Sequence, residues 1–136
     1  MRRVFQVVPF LDGGDAIGDH ARQVARVLGE AHAGYLVDRA APEFAAEAQP
    51  YRQAQVGPDD LLIYHAAHAS PIAAWLQGVD AELVIDYHGV TPPEFLRGWD
   101  AGLAVALAGA QAQLRALAGR ASLAIAHSEF MRAEVE

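Results

Sequence analysis

The residue with the clearest chemical setting is His88. It lies in the segment Leu83–Phe95, LVIDYHGVTPPEF, where the apolar run Leu83, Val84, Ile85 gives way to Asp86, Tyr87 and His88. An imidazole there can orient a hydroxyl, donate to a phosphate or work as an acid or base near neutral pH. Other polar groups recur after other apolar runs: Asp12, Gly13, Gly14, Asp15 and His20; then His65, His68 and Ser70; then Thr91 and Glu94; then His127, Ser128 and Glu129. His65-x-x-His68 offers two metal ligands, which is short of a site without a third from His88 or an aspartate. Ser128, His88 and Asp15 supply the residue types of a hydrolytic triad, but no G-x-S-x-G nucleophile elbow exists. Trp75 and Trp99 suit either a sugar platform or packing, and Asp86 either a site or an anchor for backbone N–H groups.

These groups need elements to position them. Val4–Val8, Tyr35–Val37, Leu61–Tyr64, Leu83–Asp86 and Ser122–Ala126 read as short strands bounded by turn formers. Gly18–Ala31, with Ala21, Val24, Ala25 and Leu28 on one face, reads as a helix. A second helix starts at Pro71 with Ser70 as its cap. Trp99–Ala118 is a third, with Leu103, Leu107, Leu114 and Leu117 expected in the core, and Ser128–Glu129 opens a fourth. Residues Ala40–Pro58, broken by Pro42, Pro50 and Pro58, have room for a short helix. Strands alternating with helices imply a mainly parallel sheet. Ligands of such sheets bind at the C-terminal strand ends. That edge gathers five of the six histidines, all but His32.

Composition narrows the function classes. The 136 residues suffice for one domain, and 53% hydrophobic with 20% charged residues describes a folding chain. A net charge of −7 argues against a nucleic-acid surface. Cysteine is absent, which excludes disulfides and thiolate metal sites. All ten basic residues are arginine, which excludes a P-loop or Schiff-base lysine. MRRVFQVVPF is too short and too soon interrupted for a signal peptide, and no apolar run reaches the roughly 18 residues of a membrane span; Ala101–Ala118 comes closest but is interrupted by Gln111, Gln113 and Arg115. A cytoplasmic location, or one peripheral to the inner membrane face, is expected.

Four segments resemble the N-terminal half of family-4 glycosyltransferases with GT-B architecture: PFLDGGDAIGDHARQVARVL, DLLIYHAAHASP, ELVIDYHGVTPPEF and RASLAIAHSEFMRAEV. They occur in that family's order and spacing and cover most of the chain outside Ala40–Pro58. The resemblance implies a Rossmann-like three-layer α/β/α domain with a mainly parallel sheet of five or six strands, ordered near 2-1-3-4-5. It also implies a retaining transfer from a nucleotide-diphosphate sugar to an acceptor hydroxyl, with no further cofactor and no metal. His88 matches the histidine that contacts the donor sugar. Gly13, Gly14, Asp15 and Ala16 would line the cleft, with His20, His65, Thr91, Ser128 and Glu129 as further substrate-binding residues. The family places a Gly-Gly pair just before its first helix; here Asp15-Ala16 falls there and Gly13-Gly14 slightly earlier. The diphosphate-holding basic pair and the paired glutamates belong to a C-terminal domain, so residues 1–136 are expected to be one domain, inactive alone and prone to self-association. The alternatives are a self-contained flavodoxin-like module binding a nucleotide or a protein, and a hydrolase built on the histidines.

Overall fold

The computed structural model describes residues 1–90 and 92–136. Its elements run β1 (Val4–Leu11), α1 (Ala16–Leu28), β2 (His32–Ala40), β3 (Ala48–Pro50), β4 (Leu61–Ala66), α2 (Ile72–Gly78), β5 (Glu82–Tyr87), α3 (Ala101–Ala118), β6 (Leu123–Ala126) and α4 (Glu129–Val135). Every strand pair is parallel, and the order across the sheet is β3-β2-β1-β4-β5-β6. This is the expected Rossmann-like α/β class. The five expected strands keep their relative order, and the detail that differs is a sixth at the edge. Ala40–Pro58 supplies it as β3, together with single 3₁₀ turns at Pro42–Phe44 and Tyr51–Gln53, where a short helix is expected. Prolines at 42, 50 and 58 keep that segment from propagating either a helix or a long ladder.

The pleat divides the sheet into two faces. Phe5, Val7, Leu62, Tyr64, Ala66, Leu83, Ile85 and Tyr87 point into a core closed by Ile72, Leu76, Ala110, Leu114 and Leu117 of α2 and α3. The alternate residues Val8, Tyr35 and Val37, joined by Leu11 past Pro9, pack with Ala21 of α1 and with Phe44. The same alternation puts Gln6, His65 and Asp86 on the α1 side.

Helix caps follow local sequence. The Asp15 carboxylate accepts from the Gly18 N–H at 2.9 Å, Asp100 from Leu103 at 3.0 Å, and Ser128 from Met131 at 3.1 Å. Ser70 Oγ accepts from Ile72 N–H at 3.2 Å, while Pro71, expected as the first helical residue with Ser70 as cap, itself takes the cap position of α2. Two core expectations need correction. Leu103 is 46% exposed and Leu107 only partly buried, because the first turns of α3 lie against the Pro93–Phe95 turn and present Ala104 inward. Trp99, expected inside α3, precedes the Asp100 cap and is exposed. Trp75 instead packs edge-on against Tyr51, ring centroids 5.4 Å apart.

Candidate functional site

Beneath the site lies a polar residue in the middle of an apolar strand. Gln6 is fully buried in β1. Its amide orientation is set by the Ala21 carbonyl, which can only accept: Gln6 Nε2 donates to it at 2.8 Å. Gln6 Nε2 also lies 3.1 Å from His32 Nε2. Gln6 Oε1 therefore faces His65, whose Nε2–H must donate to it at 2.8 Å. With that nitrogen committed, His65 Nδ1 carries a lone pair, and the His88 Nε2–H donates to it at 2.9 Å. A chain of hydrogen bonds thus fixes both tautomers and leaves Nδ1 as the remaining acceptor of neutral His88.

Asp86 is the second organiser. β4 and β5 pair His65 with Asp86 in register, so the two side chains emerge as neighbours on one face. Asp86 Oδ2 accepts from His20 Nε2 at 2.7 Å, and Oδ1 from His127 Nε2 at 2.6 Å. His65 Nδ1 and His88 Nε2 stand 3.7 and 3.8 Å from Oδ2. α1 brings His20, and the turn after β6 brings His127, whose ring stacks on His88 with centroids 5.3 Å apart. Four imidazoles from four elements surround one carboxylate, and they are graded by depth. His65 is buried, His88 nearly so, and His20 and His127 are partly open to solvent.

The electrostatics follow from this burial. Desolvation pushes the His65 imidazole down to about 3, with Asp86 opposing the shift and the other three histidines adding to it. His88 is lowered chiefly by burial as well. Burial works to raise the Asp86 carboxyl, but the hydrogen bonds from His20 and His127 outweigh it and hold Asp86 below the usual carboxylate range. Near neutral pH the centre is one carboxylate with His65 and His88 uncharged.

The loop after β1 flanks this centre. Gly14 N–H reaches the Asp12 carboxylate at 3.3 Å, and the Asp15 carboxylate caps α1. A Cβ on Gly13 would come 2.3 Å from Glu43 Oε1. The loop thus carries Asp12 and Asp15 and has Glu43 beside it, while its first-turn Gly18 amide is already taken. Gly18 is packed so closely that a Cβ would meet the Asp12 carbonyl oxygen at 2.3 Å. Behind β5, Tyr87 is buried, and its hydroxyl accepts from Val90 N–H at 2.9 Å, which anchors the loop behind His88. Gly89 makes the turn at φ +92°, a conformation open to glycine.

Of the expected site residues, His20, His65 and His88 come together in the centre. Gly13, Gly14, Asp15 and Ala16 form the adjoining loop and helix start. Ser128 is used as the cap of α4, and Glu129 is exposed and paired with Arg132 at 3.0 Å. Thr91 lies outside the described residues. His68 is exposed and stands apart, so the His65-x-x-His68 pairing does not form. Of the two roles open to Asp86, site or anchor for backbone N–H groups, the structure has it accepting from His20 and His127 at the site. Gln6 was not anticipated at all, although a lone glutamine within Val4–Val8 is a readable sign of a buried partner. A depression of about 430 Å³ lies at the opposite end of the sheet, between the end of α1 and the start of β2, beside Arg26, His32 and Glu47. It lacks the convergence of strand ends seen at Asp86. No helix among the described residues is long and apolar enough to cross a membrane. No protein-family model matches the chain, and no curated protein matches it significantly.

Proposed function

We propose that the Asp86 edge is the acceptor-side half of a sugar-binding cleft, in a retaining glycosyltransferase that uses a nucleotide-diphosphate sugar. The observation that carries this reading is the His88–His65–Gln6 chain, which leaves a neutral, oriented His88 with one acceptor nitrogen at the C-terminal end of β5. An uncharged acceptor in a half-buried setting suits a sugar hydroxyl better than a diphosphate. The three carboxylates at the β1–α1 loop point the same way, since they favour hydroxyl donors and repel anions. The order of the four segments that resemble family-4 glycosyltransferases supports the class of reaction.

In this reading His88 orients the transferred sugar, and Gly13–Ala16 with His20 position the acceptor hydroxyl. Rate enhancement comes from positioning and from stabilising the leaving diphosphate, the latter by a second domain. No protein nucleophile is assigned. The exposed Leu123 and Ile125 on edge strand β6, with Phe130 of α4, support self-association of this chain. Light scattering of a concentrated sample checks it; a monomer throughout would remove it.

Isotope-edited NMR of the 136-residue chain, titrated with nucleotide-diphosphate sugars, free hexoses and bare nucleoside diphosphates, tests the site. The His88, His20 and Gly14–Ala16 signals are expected to move with the sugar-bearing ligands. His88→Ala should weaken that binding by about tenfold, the loss of one good hydrogen bond. Equal binding of bare nucleoside diphosphates would favour the nucleotide-binding module instead. Perturbation confined to the depression beside His32 would sink both readings of the edge.

A further inference from the structure

The centre at Asp86 has a second property that sugar binding does not require, and a bound ion would turn His88 Nδ1 from the acceptor used above into a donor. One donor atom from each of His20, His65, Asp86 and His88 lies within 4.8 Å of the others. From Asp86 Oδ2 the distances are 2.7 Å to His20 Nε2, 3.7 Å to His65 Nδ1 and 3.8 Å to His88 Nε2, while His65 Nδ1 and His88 Nε2 are 2.9 Å apart. A tetrahedral ion with bonds of about 2.0–2.1 Å to nitrogen and oxygen separates its ligands by about 3.4 Å. These distances bracket that edge length from both sides, and no donor pair exceeds 4.8 Å, so shifts of less than about 1 Å on each side chain would seat an ion. We infer that His20, His65, Asp86 and His88 form a tetrahedral transition-metal site, with three nitrogens and one oxygen, suited to Zn²⁺.

Three features outside the donor set support it. Gln6 Oε1 holds the Nε2–H of His65 and leaves Nδ1 bare, the orientation that a ligating histidine receives from an outer partner. His127 does the same for the carboxylate, holding Asp86 Oδ1 while Oδ2 faces the other three imidazoles. The donors sit on α1, β4 and β5 and on the turn that Tyr87 and Val90 anchor, so the site is nearly assembled beforehand. Borderline nitrogen donors with one carboxylate favour Zn²⁺, Co²⁺ or Ni²⁺ over Mg²⁺ or Ca²⁺, which prefer all-oxygen shells.

Entry of the ion requires a change of proton position on two rings. In the metal-free centre His20 and His88 donate from Nε2 to Asp86 and His65. Each must present that nitrogen as a lone pair, so its Nε2 proton leaves to solvent and the bound ring carries its proton on Nδ1. His65 and Asp86 already offer lone pairs. The loaded site carries a charge of +1: the ion's two charges less one carboxylate.

Calorimetric titration of the folded 136-residue chain with Zn²⁺, and visible spectroscopy with Co²⁺, test this at neutral pH. One equivalent should bind, and Co²⁺ should give the intense visible bands of tetrahedral coordination. His20→Ala and Asp86→Asn should each lower affinity at least tenfold, and His127→Ala by about tenfold, as outer-shell losses do. His68→Ala, at an exposed histidine outside the cluster, should change nothing. Ring ¹⁵N signals of His20 and His88 should switch tautomer on Zn²⁺ addition, a readout that a misfolded variant cannot mimic. Weak octahedral Co²⁺ bands, or Zn²⁺ uptake unaffected by His20→Ala and Asp86→Asn, would overturn the site.

Discussion

Two aspartates, Asp60 and Asp86, are equally buried at opposite ends of the sheet, and they differ in the partners that hold them. Asp60 precedes β4 at the N-terminal edge. It accepts from Arg3 Nη2 at 2.7 Å and Nε at 2.9 Å, and from Gly57 N–H at 2.9 Å. Its partner is a permanent cation, and the Arg3 hydrogen bonds hold the Asp60 carboxyl below the usual range. Asp86 ends β5 at the other edge, and all its nearest partners are imidazoles. Arginine has no acceptor and no neutral form near pH 7, so the Asp60 end can do one thing: tie Arg3 and the Gly57–Asp60 turn together. Histidine can donate, accept, charge or ligate, so the Asp86 end is open to protons, hydroxyls and metal ions. One sheet thus carries a fixed clasp at one end and an adaptable centre at the other.

Acid should break the comparison most visibly. Unfolded imidazoles titrate near 6.5, whereas folded His65 is lowered to about 3 and His88 is lowered too. The unfolded chain binds protons first, so stability from both residues is full above about pH 6.5 and is lost as pH falls below it. For His65 the loss between pH 7 and 4 is on the order of 2–4 kcal/mol, at about 1.4 kcal/mol per unit. The Asp60 clasp should hold over that window, since its depressed carboxyl keeps its contribution above the unfolded value of 3.8 and loses it only below. Urea unfolding across pH, with His65→Phe beside the parent chain, reads this directly. Matching slopes for the two between pH 7 and 4 would mean that His65 titrates like a free imidazole.

Packing should separate the two ends next. Gly18→Ala drives a Cβ into the Asp12 backbone oxygen, a contact that no side-chain motion relieves, and should cost about 3 kcal/mol. Gly57→Ala at the clasp meets open space and should fall within about 0.5 kcal/mol of the parent. Because Gly18 also seats the turn of α1 that carries His20, Gly18→Ala should weaken Zn²⁺ or sugar binding along with stability. Thermal melts of the two variants settle the pair, and equal losses would show that the α1 entry has slack.

Most of the fold is legible in the chain because each long strand is an apolar run closed by turn formers, and the helices between them carry apolar stripes. The strand β3 is not, since three residues broken by proline look like loop until β2 offers them an edge. Leu103 fails for a related reason: periodicity reports a face, not how far along the helix the sheet extends. At the site, the gathering of histidines at one edge follows from the α/β topology alone. Which of them touch depends on the pleat and the register, His65 opposite Asp86 with His88 two residues on, and so on pairings that one strand cannot announce. His68 goes the other way because a spacing of three puts it out of phase with His65 on a pleated strand, on the side of Tyr64 and Ala66, just past the end of β4.

Removing one charge from each aspartate gives the smallest expected gap between the two ends and the finest comparison. In Asp60→Asn the new amide keeps one acceptor for Arg3 but turns its NH₂ toward donors that cannot accept, either Arg3 Nε alone or Arg3 Nη2 together with Gly57 N–H. The loss should be about 1–3 kcal/mol, whichever way the amide flips. In Asp86→Asn the oxygen still accepts from one histidine, and the NH₂ meets the Nε2 of the other, His20 or His127. A neutral imidazole can move its proton to Nδ1 and accept, so the lost bond is remade with reversed polarity, and the cost should stay near or below about 1 kcal/mol at pH 7. Chemical denaturation of the two variants at neutral pH gives the ranking, and ¹⁵N spectra of the histidine rings in Asp86→Asn should show one of the two partners in the switched tautomer. A larger loss at Asp86 than at Asp60 would mean that the imidazoles are held as rigidly as the guanidinium, and the centre would lose the adaptability that separates it from the clasp.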